Sequence, residues 1–451
     1  MIGLQSWLGS AIARHRVPGA VVARWSRGET EIAGAGFASL SPAIPVSDVT
    51  RFRYGSTTKL LTALTVLRQV DLGGLELDAP IIGVLPHFRT RNGDRSARVS
   101  PRHLLQHSAG FFGDLYESSS NSEDAIRDYV RRLASVAHSF EPGELLSYSN
   151  AGYVVLASLT EQLERKSWRD AVRESVLEPL SMRSVELQPA WPPSATSGHR
   201  LEGGKPVPWT EALPLPSLAP AGSMAVGTAG DLLKLARALC LETESGSGAS
   251  ILSRSLARAQ REQAIESPSP SFAMAWGLGV MQFDRDARLF GHDGATPGQT
   301  SFLRYVPDMR EAFVLLANGG DGRALCQEFI EELRLVQSEF PEAPRFTPLP
   351  PERRNFSVEA FVGNYLNDRY RVSVTAQSAG LNACFEPAAN AGDVVDVFEC
   401  LLEPLQEGSH PELFAAAAPG SVLPTTHRFS RFTTGRARLL HFRGRLFERH
   451  D

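Results

Sequence analysis

At 451 residues the chain is too long for one ordinary domain core, so two domains are expected. Its composition is globular, with 42% hydrophobic, 8% aromatic and 21% charged residues and a formal net charge of -4. That balance, with no basic block, excludes a nucleic-acid partner; no run approaches the roughly 20 apolar residues that span a bilayer, which excludes a membrane partner.

The first residues, MIGLQSWLGSAIARHRVPGA, lack the basic start and continuous apolar core of an export signal, so a cytoplasmic location is expected. Ile2, Leu4, Trp7, Leu8 and Ile12 instead predict an amphipathic helix. Residues 18–40 read as a hairpin turning at SRGET. From Ser56 to about Leu72, apolar residues at Leu60, Leu61, Leu64, Leu67 and Val70 predict a helix that LGG terminates. Residues 75–185 read as helical pieces broken by turns, and 186–220 as Pro-rich and irregular. Thr228 with Asp231 predicts a capping box before the next helix. Strands follow over 272–318, then an amphipathic helix from Arg323 to about Leu335.

The early hairpin and the late strands flank the helical region. One antiparallel sheet assembled from both ends of a domain covering 1–340 is therefore expected, an α+β fold. Residues 341–355, PEAPRFTPLPPERRN, read as a Pro-rich linker. Residues 356–451 read as short strands and turns, a small all-β domain of lipocalin-like β-barrel or β-sandwich type. Cys240, Cys326, Cys384 and Cys400 have no CxxC or zinc-like spacing, so buried free thiols and no metal are expected.

Chemistry enters at YGSTTKLL. The 46 basic residues include only four lysines, Lys59, Lys166, Lys205 and Lys234, and one stands three positions after Ser56. On a helix such residues share a face. A serine hydroxyl needs a base to become a nucleophile. Lysine can serve only as the neutral amine, with its pKa lowered by burial or a neighbouring cation; arginine stays protonated. Two further stretches carry polar groups between apolar runs. One is LLSYSNAGYVV, with Tyr148 as a proton-exchanging phenol and Asn150 as a hydrogen-bonding partner for Lys59 and substrate. The other is RLFGHDGATPGQTSF, where His292, Asp293 and Gly294 precede the backbone N–H of Ala295.

Taken in this order, S-x-x-K, Y-x-N and H-x-G resemble the serine β-lactamase and penicillin-binding-protein superfamily, in its class C β-lactamase-related branch. The resemblance covers about residues 10–335 and implies a β-lactamase/DD-peptidase-like domain. It implies that Ser56 forms an acyl-enzyme, that Lys59 with Tyr148 moves the protons, and that Asn150 orients substrate. It places His292 on the opposite wall, polarising Tyr148, and puts the oxyanion between the N–H groups of Ser56 and Ala295. No cofactor is implied. His103 and His107 are read as scaffold. His292 stands where drug-destroying and cell-wall members carry a lysine, and Asp293 adds negative charge, so a free substrate carboxylate is disfavoured. An esterase, amidase or transacylase acting on a small-molecule or peptide ester, thioester or amide is expected. An amine or alcohol acceptor and a carrier-protein-bound acyl donor stay open, as does a D-aminopeptidase or peptide-cyclising thioesterase. β-Lactamase and D-Ala-D-Ala carboxypeptidase activities rank lower, and a catalytically inactive binding protein last.

Overall fold

The computed structural model describes residues 3–450 apart from 113, 116–123, 189–194, 210–214, 243–250, 351–357, 368, 378–379, 389–396, 406–411, 418–422 and 434. Part of the expected linker, 351–355, and Ile2 lie outside the described residues. The main helices are α1 (Leu4–Arg14), α2 (Thr58–Asp71), α3 (Asn150–Glu164), α4 (Ala229–Leu241) and α5 (Gly322–Val336). A nine-stranded sheet contains β1 (Gly19–Ser26), β2 (Glu29–Leu40), β3 (Ala43–Pro45), β4 (Ile265–Glu266), β5 (Ala275–Trp276), β6 (Met281–Gln282), β7 (Phe290–Thr296), β8 (Gln299–Val306) and β9 (Glu311–Ala317). Its order is β3-β2-β1-β9-β8-β7-β6-β5-β4. The early hairpin joins the late strands where β1 pairs antiparallel with β9, Val22 opposite Leu315.

Strand alternation sorts the core into two layers. Val21, Ala23, Trp25, Leu303, Tyr305 and Val314 pack toward the helical region. Ala20, Val22, Phe302, Phe313 and Leu315 pack with Leu4 and Leu8 of α1 and Phe329 and Leu333 of α5. Every residue of α2 from Thr58 to Leu67 is buried, so this helix runs through the middle of the first layer rather than over its surface.

Three local expectations change. α2 begins at Thr58, after a 3-10 turn over Gly55–Thr57, and Ser56 sits on that turn. The Thr228 hydroxyl accepts the Asp231 N–H, but the Asp231 carboxylate turns to the Ser184 N–H and Lys234, so only half the capping box forms. The irregular segment contains a hairpin pairing His199–Glu202 with Lys205–Pro208. Of the cysteines, Cys240, Cys326 and Cys400 are buried and Cys384 is partly exposed.

The C-terminal part is a closed barrel of eight strands: β10 (Gly363–Leu366), β11 (Tyr370–Gln377), β12 (Gly380–Pro387), β13 (Phe398–Pro404), β14 (Leu413–Ala417), β15 (Pro424–Thr433), β16 (Arg436–Phe442) and β17 (Arg445–Arg449). Neighbours in sequence are neighbours in the barrel, and Tyr365 of β10 closes it against Arg449 of β17. Phe361, Tyr365, Phe385, Phe414, Phe429 and Phe447 fill the interior, so the barrel has a packed core of its own. No described helix is long and apolar enough to cross a membrane.

Candidate active site

Ser56, Lys59, Tyr148 and Asn150 meet at the start of α2. The Lys59 side chain is fully buried, and its Nζ stands 3.2 Å from Ser56 Oγ, 2.7 Å from Asn150 Oδ1 and 2.6 Å from the Ala221 carbonyl. The Tyr148 hydroxyl donates to Ser56 Oγ at 2.8 Å. Burial drives the Lys59 pKa well below its ordinary value; Arg445 pushes it the same way, and Asp114 opposes both. A neutral amine has two protons and one lone pair. Both protons have carbonyl acceptors, on Ala221 and Asn150, so the lone pair is left for the Ser56 hydroxyl proton. The Tyr148 O–H takes one of the two lone pairs of Oγ, and once the amine is neutral the Ser56 proton has Nζ within reach as an acceptor.

Tight backbone packing fixes the position of Ser56. Gly55 has φ of +53°, and a Cβ there would lie 2.7 Å from the Ala295 nitrogen and 2.9 Å from its oxygen. Backbone cannot yield as a flexible side chain can, so Gly55→Ala should push the turn off β7. A displacement near 1 Å costs about 100-fold in rate. Gly55→Ala should therefore lower kcat/KM by about that factor, measured on an acyl ester, with a lower Tm.

The H-x-G segment lies on a strand, as expected of residues 272–318. β7 runs straight through it, because the reversal falls at Pro297-Gly298, between Thr296 and its partner Gln299. Alternation then separates the motif. His292 is buried, its ring set edge-on to Trp276 at 5.3 Å, and Nδ1 donates to the Asp293 carbonyl at 2.6 Å. Burial holds its pKa at about 3, so it is neutral at pH 7. Its Nε2 is buried with no hydrogen-bond partner among the described residues. Asp293, expected beside it, is a correction: its carboxylate pairs with Arg304 at 2.6 Å on the α5 face of the sheet. There it lines a separate cavity of about 310 Å³ with Arg304, Arg323 and Phe346, and it adds no charge at Ser56. Gly294 admits the Gly55–Thr57 turn rather than a ligand, since a Cβ there would lie 2.1 Å from the Tyr54 carbonyl and 2.4 Å from Ser301 Oγ. The Asp293 N–H leaves the β8 ladder for Met281 Sδ at 3.4 Å. Two residues on, the Ala295 N–H leaves on the same edge, against Gly55.

Several side chains at the site lie outside the three motifs. The His107 ring is 4.3 Å from the Tyr148 ring and 5.0 Å from the Tyr153 ring, and its Nδ1 accepts the Ser149 N–H at 3.1 Å. It therefore holds the tyrosine segment, which extends the scaffold role expected of it. Burial drives its pKa well below the ordinary value. Phe272 and Trp276 complete the wall around Tyr148, each 5.6 Å from its ring. The barrel also reaches this point: the Gly444 carbonyl accepts the Tyr148 N–H at 2.7 Å, and Arg445 binds Asp114 Oδ2 through two nitrogens at 2.8 and 3.1 Å. Nothing local marks Asp114 and Arg445 as partners, because 330 residues separate them in sequence and only the folded barrel brings them together. Among the described residues no cluster of three or more His, Cys, Asp and Glu side chains could hold a metal ion.

A family model for Beta-lactamase matches residues 4–334. Penicillin-binding protein 4 of Amycolatopsis lactamdurans is 31% identical over 361 residues, covering 78% of this chain and 93% of that one. The crystal structure of SurE superposes with a TM-score of 0.75 at 28% identity, over 99% of this chain and 98% of SurE, so the likeness includes the barrel. D-amino acid amidase from Ochrobactrum anthropi SV3, complexed with L-phenylalanine amide, gives a TM-score of 0.62 at 25% identity over 74% of this chain and 97% of that one. The family match from Leu4 to Arg334, together with the likeness to a penicillin-binding protein and to an amidase, places the chain in the beta-lactamase family, among its serine hydrolases and acyltransferases.

Proposed function

We propose that the protein forms an acyl-enzyme at Ser56 from an ester, thioester or amide of a small molecule or peptide, and that the residue carrying the acyl carbon is D-configured. The observation that carries the first half is the occupied hydrogen-bond set of Lys59, whose one free valence faces the Ser56 hydroxyl. Two relatives support the second half. One is an amidase named for D-amino acids. The other, SurE, has also been solved with D-Leu and superposes here at a TM-score of 0.72 with 27% identity.

In the reading we favour, Ser56 Oγ attacks the acyl carbon and its proton passes to Lys59 Nζ. The backbone N–H groups of Ser56 and Ala295 hold the oxyanion, at about 2.7–4 kcal/mol per donor. As the intermediate collapses, the Tyr148 phenol gives its proton to the leaving group and recovers one from the Lys59 ammonium. The incoming nucleophile then loses its proton to the same pair, and Ser56 regains its own. Asn150 steadies the amine throughout. The neutral His292 offers a buried acceptor rather than a fixed cation, so this wall does not demand a substrate carboxylate.

Water and an amine compete for the acyl-enzyme. Phe272, Trp276 and His107 pack apolar surface around the Tyr148 ring, and an apolar wall around the proton-transfer group limits the water that reaches it. That supports transfer to an amine, including the amine of the same peptide. Matched D- and L-configured acyl thioesters should be turned over with a preference of tenfold or more for the D form. Low-millimolar amine should divert product from acid to amide. Equal rates for both enantiomers would remove the stereochemical half of the reading, and an unchanged acid yield would make the enzyme a hydrolase.

A further inference from the structure

The barrel supplies two contacts to the segment that carries Tyr148, through the Gly444 carbonyl and the Leu446 N–H, which donates to Ser147 Oγ at 3.1 Å. It also supplies a charge. Arg445 clasps Asp114 Oδ2, while Asp114 Oδ1 accepts the Asn150 N–H at 2.7 Å, and the side chain of Asn150 in turn holds Lys59. The Asp114 side chain is fully buried and that of Arg445 is 21% exposed. A buried carboxylate near a buried amine favours the ammonium form unless something cancels it. Resting on the proposed role of Lys59 as base, we propose that Arg445 is a positioning residue that cancels Asp114 beside Lys59, so that the barrel governs whether the amine is free to take the serine proton.

The groups facing Lys59 from each packed element fit this assignment. Asp114 is the negative charge acting on it and Arg445 the positive one, with opposite effects on its protonation. His107 and His292 are both held neutral by burial. Tyr148 and Tyr153 present ring faces to the amine at 4.8 and 5.5 Å, and burial pushes the Tyr153 phenol up, keeping it uncharged. Among these groups the Arg445–Asp114 pair is the one whose balance a single substitution can tip. Without Arg445, Asp114 acts unopposed and Lys59 holds its proton to higher pH. The limb of the rate profile that needs a neutral amine then moves up.

A fluorophosphonate probe reads this directly at Ser56, since it needs an activated serine and carries no carboxylate to be bound by Arg445. Its second-order labelling rate is measured against pH. In Arg445→Met the acid limb should move up by about one pH unit, with about tenfold slower labelling below it. Arg445→Lys should stay near wild type. Asp114→Asn alone, which tests the same balance should Arg445→Met fail to fold, should move the limb down. Adding Asp114→Asn to Arg445→Met should bring the limb back. An unmoved limb in Arg445→Met, or no return in the double variant, overturns the proposal. So does a raised KM for an acyl substrate with the limb unchanged, which would make Arg445 a substrate contact. Wild-type protein that takes no label at Ser56 at any pH would instead overturn the acyl-enzyme reading on which the proposal rests.

Discussion

Ser56→Ala is expected to lower kcat/KM by about 10³-fold or more while leaving the fold intact. Losing a nucleophile in serine enzymes of this kind removes all catalysis that passes through the covalent intermediate, and only binding and oxyanion stabilisation remain. The structural cost is small because Ser56 is only partly buried, on a turn whose shape is set by Gly55 and Ala295 rather than by the hydroxyl. The change does remove the oxygen shared by Tyr148 and Lys59, at 2.8 and 3.2 Å. Lys59 keeps its Ala221 and Asn150 partners, so no buried charge is left stranded. Tm should move by no more than a few degrees. Intact mass after reaction with a chromogenic acyl ester or a fluorophosphonate should show an adduct in wild type and none in the variant. An adduct on Ser56→Ala would assign the nucleophile elsewhere.

The parts of the molecule legible in sequence are those specified by local periodicity or local chemistry. The spacing of Leu60, Leu61, Leu64 and Leu67 shows a helix, and a serine three residues before a lysine shows a shared face. The helix start is two residues out because the 3-10 turn at Ser56 is imposed by packing of Gly55 against β7 and of Gly222 against Gly55, which no propensity records. The segment His292–Gly294 reads as part of the strands over 272–318. It is strand because Pro297-Gly298 takes the reversal, and this puts His292 and Asp293 on opposite faces of the sheet. A period of two was enough to separate them once the strand limits were known. The barrel was legible as strands, but its filled interior and its reach to Tyr148 were not. Gly444 and Arg445 stand in an ordinary hairpin sequence, and their partners Tyr148 and Asp114 belong to the other end of the chain.

Lys59→Met separates the two roles of this side chain, and its effects on activity and stability run in different directions. Removing the base should lower kcat/KM by about 10²–10⁴-fold, without rescue at high pH, because methionine has no lone pair basic enough to take the serine proton. Stability follows from proton linkage. The folded-state pKa of Lys59 lies well below 10.5, whereas the unfolded chain titrates near the ordinary value of about 10.4. Between those two values the unfolded state holds a proton that the folded state lacks. Wild-type stability therefore rises with pH through that window, by up to about 1.4 kcal/mol per pH unit. Below the folded pKa both states are protonated and this contribution is flat. The burden of burying the amine is thus largest at low pH, and methionine, close in length and already apolar, removes it. Against that gain, the substitution takes the Lys59 donor from the Ala221 carbonyl and Asn150 Oδ1, a cost of about 1–3 kcal/mol each that does not vary with pH. The sign of the net change at any one pH is therefore a contest between the two, but the slope is not. Urea unfolding at a series of pH values should show wild-type stability gaining on that of Lys59→Met as pH rises toward about 10. Parallel profiles would mean that Lys59 titrates alike in both states, and an amine that keeps its proton in the folded protein could not draw one from Ser56.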